Sequence, residues 1–309
     1  MKKFLIRVAA FSLIVVAALA IMEAAVRSVD NPYRAKERWL EMNAAKVNTL
    51  ILGNSHSFYG LRADLWPDTA FNLASVSQTT GLDHLLLDRW IGSMPELRTV
   101  VTEVSVASLF DEELTEGSDV NRAVNYEAYM NLDILPWYSP SNFELANMKV
   151  FTAKLKNLFG MGQAALVCDS LGNGEAYTLE NRWRTPEESA EVFAAAHNSG
   201  RPERLGPNMA HLEAMADTCA ARGVRLVIYT QPAWLGYRER INPELITAMR
   251  AALKRFSAEK GVEWFDFYED SSFDEDDFYD ADHLTRTPGA EKMTRLLLSA
   301  MRGDKAPRQ

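Results

Sequence analysis

Cysteine is nearly absent from this 309-residue chain: Cys168 and Cys219 are the only two. That excludes a disulfide-dense scaffold, and their spacing fits no thiolate metal site. One disulfide or two separate buried thiols both stay open. Positive charge is also short. Lys and Arg number 33 against 42 Asp and Glu, a formal net charge of -9. Neutralising a phosphate backbone needs a basic face, so nucleic acid is excluded as a partner. The five histidines form no cluster of ligand spacing with acidic residues, so neither a metal nor a cofactor is expected. No repeat at solenoid or propeller periods occurs. What remains is ordinary for a folded protein, 47% hydrophobic and 24% charged, and long enough for one large domain or two small ones.

One apolar stretch stands apart. "MKKFLIRVAAFSLIVVAALAIMEAAVR" (1–27) opens with two lysines and runs from Val8 to Met22 without a charge. Extended back to Phe4, it nears the ~20 residues that a spanning helix needs. Arg7, inside the apolar segment, can snorkel towards headgroups. The segment is a membrane anchor or a signal peptide. Ala18-Leu19-Ala20 resembles a cleavage site, but Ile21 and Met22 continue the apolar run beyond it, which favours the anchor. The lysines keep the N-terminus cytoplasmic. The body is then expected outside the cytoplasmic membrane, tethered to it or, if the segment is cleaved, secreted. Residues 28–46 read as a polar, helical connector.

From residue 47 onward, short apolar strands alternate with amphipathic helices. "NTLILG" (48–53), "TAFNLA" (69–74), "LRTVVTEVS" (97–105), "VRLVIYT" (224–230) and "GVEWFDF" (261–267) predict five strands. Helices are predicted before the last three, and "TPGAEKMTRLLLSAMRG" closes the chain, with Pro288 in its first turn. Gly223 and Gly261 are expected helix C-caps. This alternation predicts an α/β three-layer sandwich around a mostly parallel five-stranded sheet. The domain spans 47–309. The segment from about 110 to 205 is too long for one crossover and reads as an insertion at the active edge of the sheet.

Ligands of such sheets bind at the carboxyl ends of the strands. There the first strand ends in "GNSHS", and Ser55 is a candidate nucleophile. Serine needs a base, and the base an orienting group. "DFYDADHLTRTPG", past the fifth strand and so at the same edge, offers Asp280 and His283. The carboxylate can hold one ring nitrogen and leave the other for Ser55. Asp282 is the spare carboxylate. A G-x-S-x-G elbow is excluded, because the second glycine is missing and the serine follows the first strand. The bland readings are that Ser55 only caps a helix and that His283 is a surface side chain. Asn54 and His56 are candidate substrate contacts, and His56 reads equally well as a solvent-facing turn residue. His84, His197 and His211 lie in helical stretches and read as structural. The eight carboxylates between Glu269 and Asp282 read as a solvated loop; their spacing fits no EF-hand.

These blocks resemble those of the SGNH, or GDSL-like, hydrolases and acyltransferases: "GNSHS" for the nucleophile and "DADHL" for the D-x-x-H pair. "FNLASVSQTT" resembles the second block, and the resemblance implies an oxyanion hole built by amides at Ser55 and at Ala74 or Ser75. Where the family places a third-block asparagine, "TEVSVASLF" has Ser105. An N-terminal anchor, a degenerate middle and a C-terminal D-x-x-H-L loop are similar to membrane-anchored envelope proteins, such as those of teichoic-acid D-alanylation and alginate O-acetylation. The resemblance implies acyl transfer, an O-acetyl group above all, onto an extracytoplasmic polysaccharide or polymer in the periplasm. The implied partners are an acyl donor, a carbohydrate acceptor and a membrane-bound O-acyltransferase. A carbohydrate esterase using the same triad, and a non-catalytic binding or assembly module, are the alternatives.

Overall fold

The chain is described from a computed structural model covering residues 1–117, 119–146, 151, 152, 154–156, 159 and 167–304. The rest of the expected insertion, at 118, 147–150, 153, 157, 158 and 160–166, lies outside the described residues, as do 305–309.

Five strands form one sheet: β1 (Thr49–Leu52), β2 (Ala70–Asn72), β3 (Thr99–Glu103), β4 (Arg225–Thr230) and β5 (Glu263–Asp266). Their order is β2-β1-β3-β4-β5 and every pairing is parallel. β1 is buried throughout its length. A parallel strand covered on both faces has no solvent side to alternate towards, so it reads as a continuous apolar run. The chain enters at β1, steps to β2 on one side and then builds β3, β4 and β5 on the other. The topological switch point therefore falls between β1 and β3, where a crevice opens beyond the carboxyl ends.

The helices Thr80–Ile91, Leu205–Ala221, Pro243–Lys260 and Gly289–Met301 match the expected amphipathic segments. Thr79 caps the first through the Leu82 N–H. Asn242 caps the third through Glu244, and Gly261 ends it in the left-handed region at φ 68°. Pro288 stands at the N-cap position of the last helix, one residue before the first turn expected for it. On one side of the sheet, Ile51, Val101, Val227 and Tyr229 pack with Leu284, Met293 and Leu297 in a single apolar cluster. Cys168 and Cys219 are separate thiols.

The chain divides into two compact units, 1–37 with 118–166, and 38–117 with 167–309. The segment between β3 and β4 is thus shared between them. In the first unit, the Lys2–Arg27 helix is long and apolar enough to cross a membrane by length and composition. Its last turns are tied down: Glu23 accepts from the backbone N–H groups of Glu144 (3.0 Å) and Leu145 (3.1 Å). Arg27 donates to the Asn142 carbonyl at 2.7 Å. The second unit holds the sheet and every residue of the site described next.

Candidate active site

β1 delivers the chain into a tight turn. Gly53 has φ 116°, and a Cβ there would lie 2.7 Å from Ser57 Oγ and 3.2 Å from the Glu103 nitrogen. Only glycine fits. Its N–H donates to Asp83 Oδ1 at 3.0 Å, and Asp83 also accepts from Gln78 Nε2 (2.6 Å) and Thr102 Oγ1 (2.8 Å). Burial pushes the Asp83 carboxyl up to about 7 in spite of these three donors.

A six-residue helix, Ser55–Gly60, follows, and Asn54 caps it by accepting from the His56 N–H at 2.8 Å. The capping reading of Ser55 therefore fails: Asn54 does that work, and Ser55 is the first helical residue with its hydroxyl directed elsewhere. Asn54 Nδ2 donates to Ser108 Oγ at 3.3 Å, so both ends of its amide are engaged inside the protein.

Ser55 Oγ meets His283 Nε2 at 2.9 Å. His283 Nδ1 faces Asp280 Oδ1 at 3.0 Å and Oδ2 at 3.2 Å. A carboxylate only accepts, so Nδ1 carries the proton and Nε2 presents its lone pair to the serine. Asp280 is fixed in turn: its Oδ1 also accepts the N–H groups of Asp282 (2.9 Å) and His283 (2.8 Å). All three side chains thus come together in the arrangement that the two sequence blocks suggest. Aromatic rings enclose the imidazole. Tyr177 stacks between Tyr59 (3.8 Å) and Tyr279 (4.0 Å) and meets His283 edge-on at 5.2 Å; Phe193 stands at 5.6 Å. Burial disfavours the His283 imidazolium, but Asp280 and then Asp282 outweigh it and raise the proton affinity above the ordinary histidine value.

His56 is no solvent-facing turn residue. It is 3% exposed, with Nδ1 3.1 Å from Glu103 Oε1 and Nε2 3.1 Å from Asp282 Oδ2. Burial opposes its charge, yet the carboxylates of Asp282 and Glu103 prevail and hold it protonated well above the ordinary range. Asp282, which orients no ring nitrogen of His283, is the partner of His56. Burial would raise its carboxyl, but the imidazoles of His56 and His197 hold it far below the usual carboxylate range. His197 Nδ1 pairs with the Tyr237 hydroxyl at 2.8 Å, and its Nε2 lies 3.8 Å from Asp282 Oδ2.

A cleft beside this cluster is lined by His56, Glu103, Ser105, Gln231, Tyr268 and Asp282, among others. Two of its buried polar atoms, Gln231 Oε1 and the Tyr268 hydroxyl, make no hydrogen bond among the described residues, while His56 Nδ1 and Glu103 Oε1 face each other. Buried groups left in this state suit a polar occupant, a water or a substrate hydroxyl.

The oxyanion expectations at 74, 75 and 105 need correction. The Ala74 N–H donates to Asn72 Oδ1 at 3.0 Å, the Ser75 N–H to the Gly53 carbonyl at 3.2 Å, and the Ser105 N–H to Ser108 Oγ at 3.2 Å. All three amides are already taken, those of Ala74 and Ser105 within local turns and that of Ser75 by the end of β1. Ser75 Oγ is buried with no hydrogen-bond partner among the described residues, and Ser105 caps Val106–Phe110. Ser55 opens its helix, where an N–H has no intrahelical acceptor, so of the four expected positions its amide is left without one. The acidic run is not simply solvated. Asp277 is 1% exposed and pairs with Lys292 at 2.6 Å, and Asp280 and Asp282 are buried. Donor atoms of His56, Asp282 and His283 lie within 4.8 Å of one another, close enough to share a cation. Each already faces a partner within the protein, and a cation would compete with Ser55 for His283 Nε2.

Glu103, Asp83 and Gln231 carry no expectation from the sequence, and His197 reads there only as a structural residue. Glu103 carried a readable signal, a charge at the end of the apolar strand "TVVTE" on the edge where ligands bind.

No family model matches the chain, and no curated protein does. Among solved structures, it is similar to a GDSL-like lipase from Bacteroides thetaiotaomicron, with 10% identity, 89% of this chain and 100% of that one covered, and a TM-score of 0.41. It is also similar to a carbohydrate acetylesterase family member from Sinorhizobium meliloti, with 10% identity, 83% and 100% coverage, and a TM-score of 0.33. At such distances neither assigns an activity, and the reading below rests on the site itself.

Proposed function

We propose that the chain is a serine-dependent acyl-transfer enzyme of SGNH-like type that works through an acyl-enzyme on Ser55. The observation that carries this reading is the continuous contact Ser55 Oγ–His283 Nε2–His283 Nδ1–Asp280, at 2.9 and 3.0 Å. Ser55 Oγ attacks an ester carbonyl while His283 Nε2 takes its proton. Asp280 holds the imidazole in the required tautomer and stabilises the imidazolium. The tetrahedral intermediate collapses, His283 returns the proton to the leaving oxygen, and the acyl group stays on Ser55. A second hydroxyl, deprotonated by His283, then releases it.

That hydroxyl belongs to a carbohydrate of an extracytoplasmic polymer in a transferase, or to water in an esterase. The apolar N-terminal helix supports a membrane-tethered chain, and the buried Gln231 Oε1 and Tyr268 hydroxyl of the cleft beside His56 support an acceptor hydroxyl. The proposed acyl group is acetyl, and the proposed donor side is a membrane-bound O-acyltransferase. Labelling with a fluorophosphonate serine probe tests the reading. Ser55 is expected to be modified in the folded full chain, and the Ser55→Ala and His283→Ala variants to stay unlabelled. A folded chain that no serine-directed reagent labels would leave a binding or assembly module.

A further inference from the structure

Three imidazoles converge on one carboxylate oxygen. Asp282 Oδ2 lies 3.1 Å from His56 Nε2, 3.8 Å from His197 Nε2 and 3.8 Å from His283 Nε2. The other nitrogen of each ring is also assigned, to Glu103, to the Tyr237 hydroxyl and to Asp280 respectively. Catalysis through Ser55 needs only the last of these pairs, so the carboxylate at Asp282 calls for an explanation.

The difficulty it raises is electrostatic. Asp280 stands at Nδ1 of His283 and Asp282 near Nε2. Two buried anions around one imidazole favour the protonated ring, and a base already protonated at neutral pH cannot take the serine proton. His56 is the counter-charge. It sits between Glu103 and Asp282, with its ring 5.3 Å from that of His283, and offsets the second carboxylate. We propose that Glu103, His56 and Asp282 form a buried charge chain that positions Asp282 beside His283 and sets how readily His283 Nε2 accepts a proton. Asp282 and His56 are positioning residues in this scheme, acting through the base. The consequence for catalysis rests on the acyl-enzyme reading above; the charge chain itself does not.

Around His283, the other titratable groups are Tyr59 and Tyr177, whose rings meet it edge-on, and Ser55. Burial pushes the Tyr177 hydroxyl far up, so it stays neutral. Behind His197 stand the Tyr237 hydroxyl and Asp111, whose carboxyl burial pushes up to about 6. None of these supplies a positive charge near Asp282 other than the three imidazoles.

The two ends of the chain act with opposite sign, and that is the test. The full chain in detergent micelles, with histidines labelled at 13Cε1, is titrated by NMR without substrate. The five resonances are assigned by single His→Gln variants. In the unsubstituted protein, His56 is expected to remain charged across neutral pH. Asp282→Asn is expected to lower the His283 midpoint by about one unit or more, and His56→Gln to raise it by a similar amount. The double variant returns most of the way, because the two charges largely cancel. The acid limb of the pH–rate profile for p-nitrophenyl acetate should move in the same directions, a response that a merely structural role would not produce. His283 midpoints that stay in place, or that move together in both variants, would overturn the proposal. So would a His56 that titrates near the ordinary value of about 6.5. Should His56→Gln fail to fold, the charge state of His56 and the Asp282→Asn shift still decide. Opposite shifts in a protein whose Ser55 stays unlabelled would keep the charge chain and reject the catalytic reading.

Discussion

Asp83 and Asp282 are both buried carboxylates within reach of the Ser55 turn, and they end in opposite states. Asp83 accepts three hydrogen bonds from neutral groups, the Gly53 amide, Gln78 and Thr102, and burial still pushes it up to about 7. Asp282 faces three imidazoles and is held far below the usual range. Neutral donors soften the desolvation of an anion, while a buried cation reverses it. The scaffold under Ser55 is thus built on an acid that can do without its charge. Asp282 keeps its charge because histidines stand beside it.

The sharpest way to break this contrast is to neutralise an anion at the reactive edge without changing its shape. Asp280→Asn keeps the loop contacts of Oδ1 but removes the carboxylate that fixes the His283 tautomer. Turnover of p-nitrophenyl acetate is expected to fall by about 10³–10⁴-fold, with the thermal midpoint little changed. A loss below tenfold would place Asp280 among the structural acids with Asp83.

The Asp83 side is expected to show in stability and its pH dependence. A carboxyl whose proton affinity is raised on folding binds more protons folded than unfolded between about pH 4 and 7. Its contribution therefore falls as pH rises through that window and is flat above it. Asp83→Asn should remove this slope, worth about 2–4 kcal/mol between the two ends. Chemical denaturation at several pH values measures it. Asp282 works the other way: its depressed carboxyl contributes stability above about pH 4 that is lost on acidification. Gly53→Ala is expected to cost about 2 kcal/mol or more, from the left-handed backbone and the contacts with Ser57 and Glu103. It strikes the turn that Asp83 supports, so its effect in the Asp83→Asn background should be less than additive.

The strands and the pairing of Asp280 with His283 were legible in the sequence for the same reason: their signals are local. A parallel strand buried on both faces is an uninterrupted apolar run, and Asp280 and His283 lie on one short loop. The charge chain was not legible, because it depends on register. β1 and β3 pair with Leu52 opposite Thr102, which brings Glu103 to the end of the strand that precedes His56. Nothing near His56 announces that neighbour. His197 arrives from the Pro186–Asn198 helix, within a segment whose course only the folded chain reveals. The amides at Ala74 and Ser105 are taken by hydrogen bonds that close turns within a few residues, and that at Ser75 by the Gly53 carbonyl at the end of β1. A backbone amide leaves no trace in the sequence of whether it is already taken.

In the proposed reaction, Ser55 takes an acyl group with the help of His283. The most direct measurement incubates the full chain in detergent with p-nitrophenyl acetate, quenches it with acid and maps the acetyl group by peptide mass spectrometry. The account expects acetylation at Ser55, lost in Ser55→Ala and in His283→Ala. Acetylation spread over lysines and unchanged in both variants would contradict it.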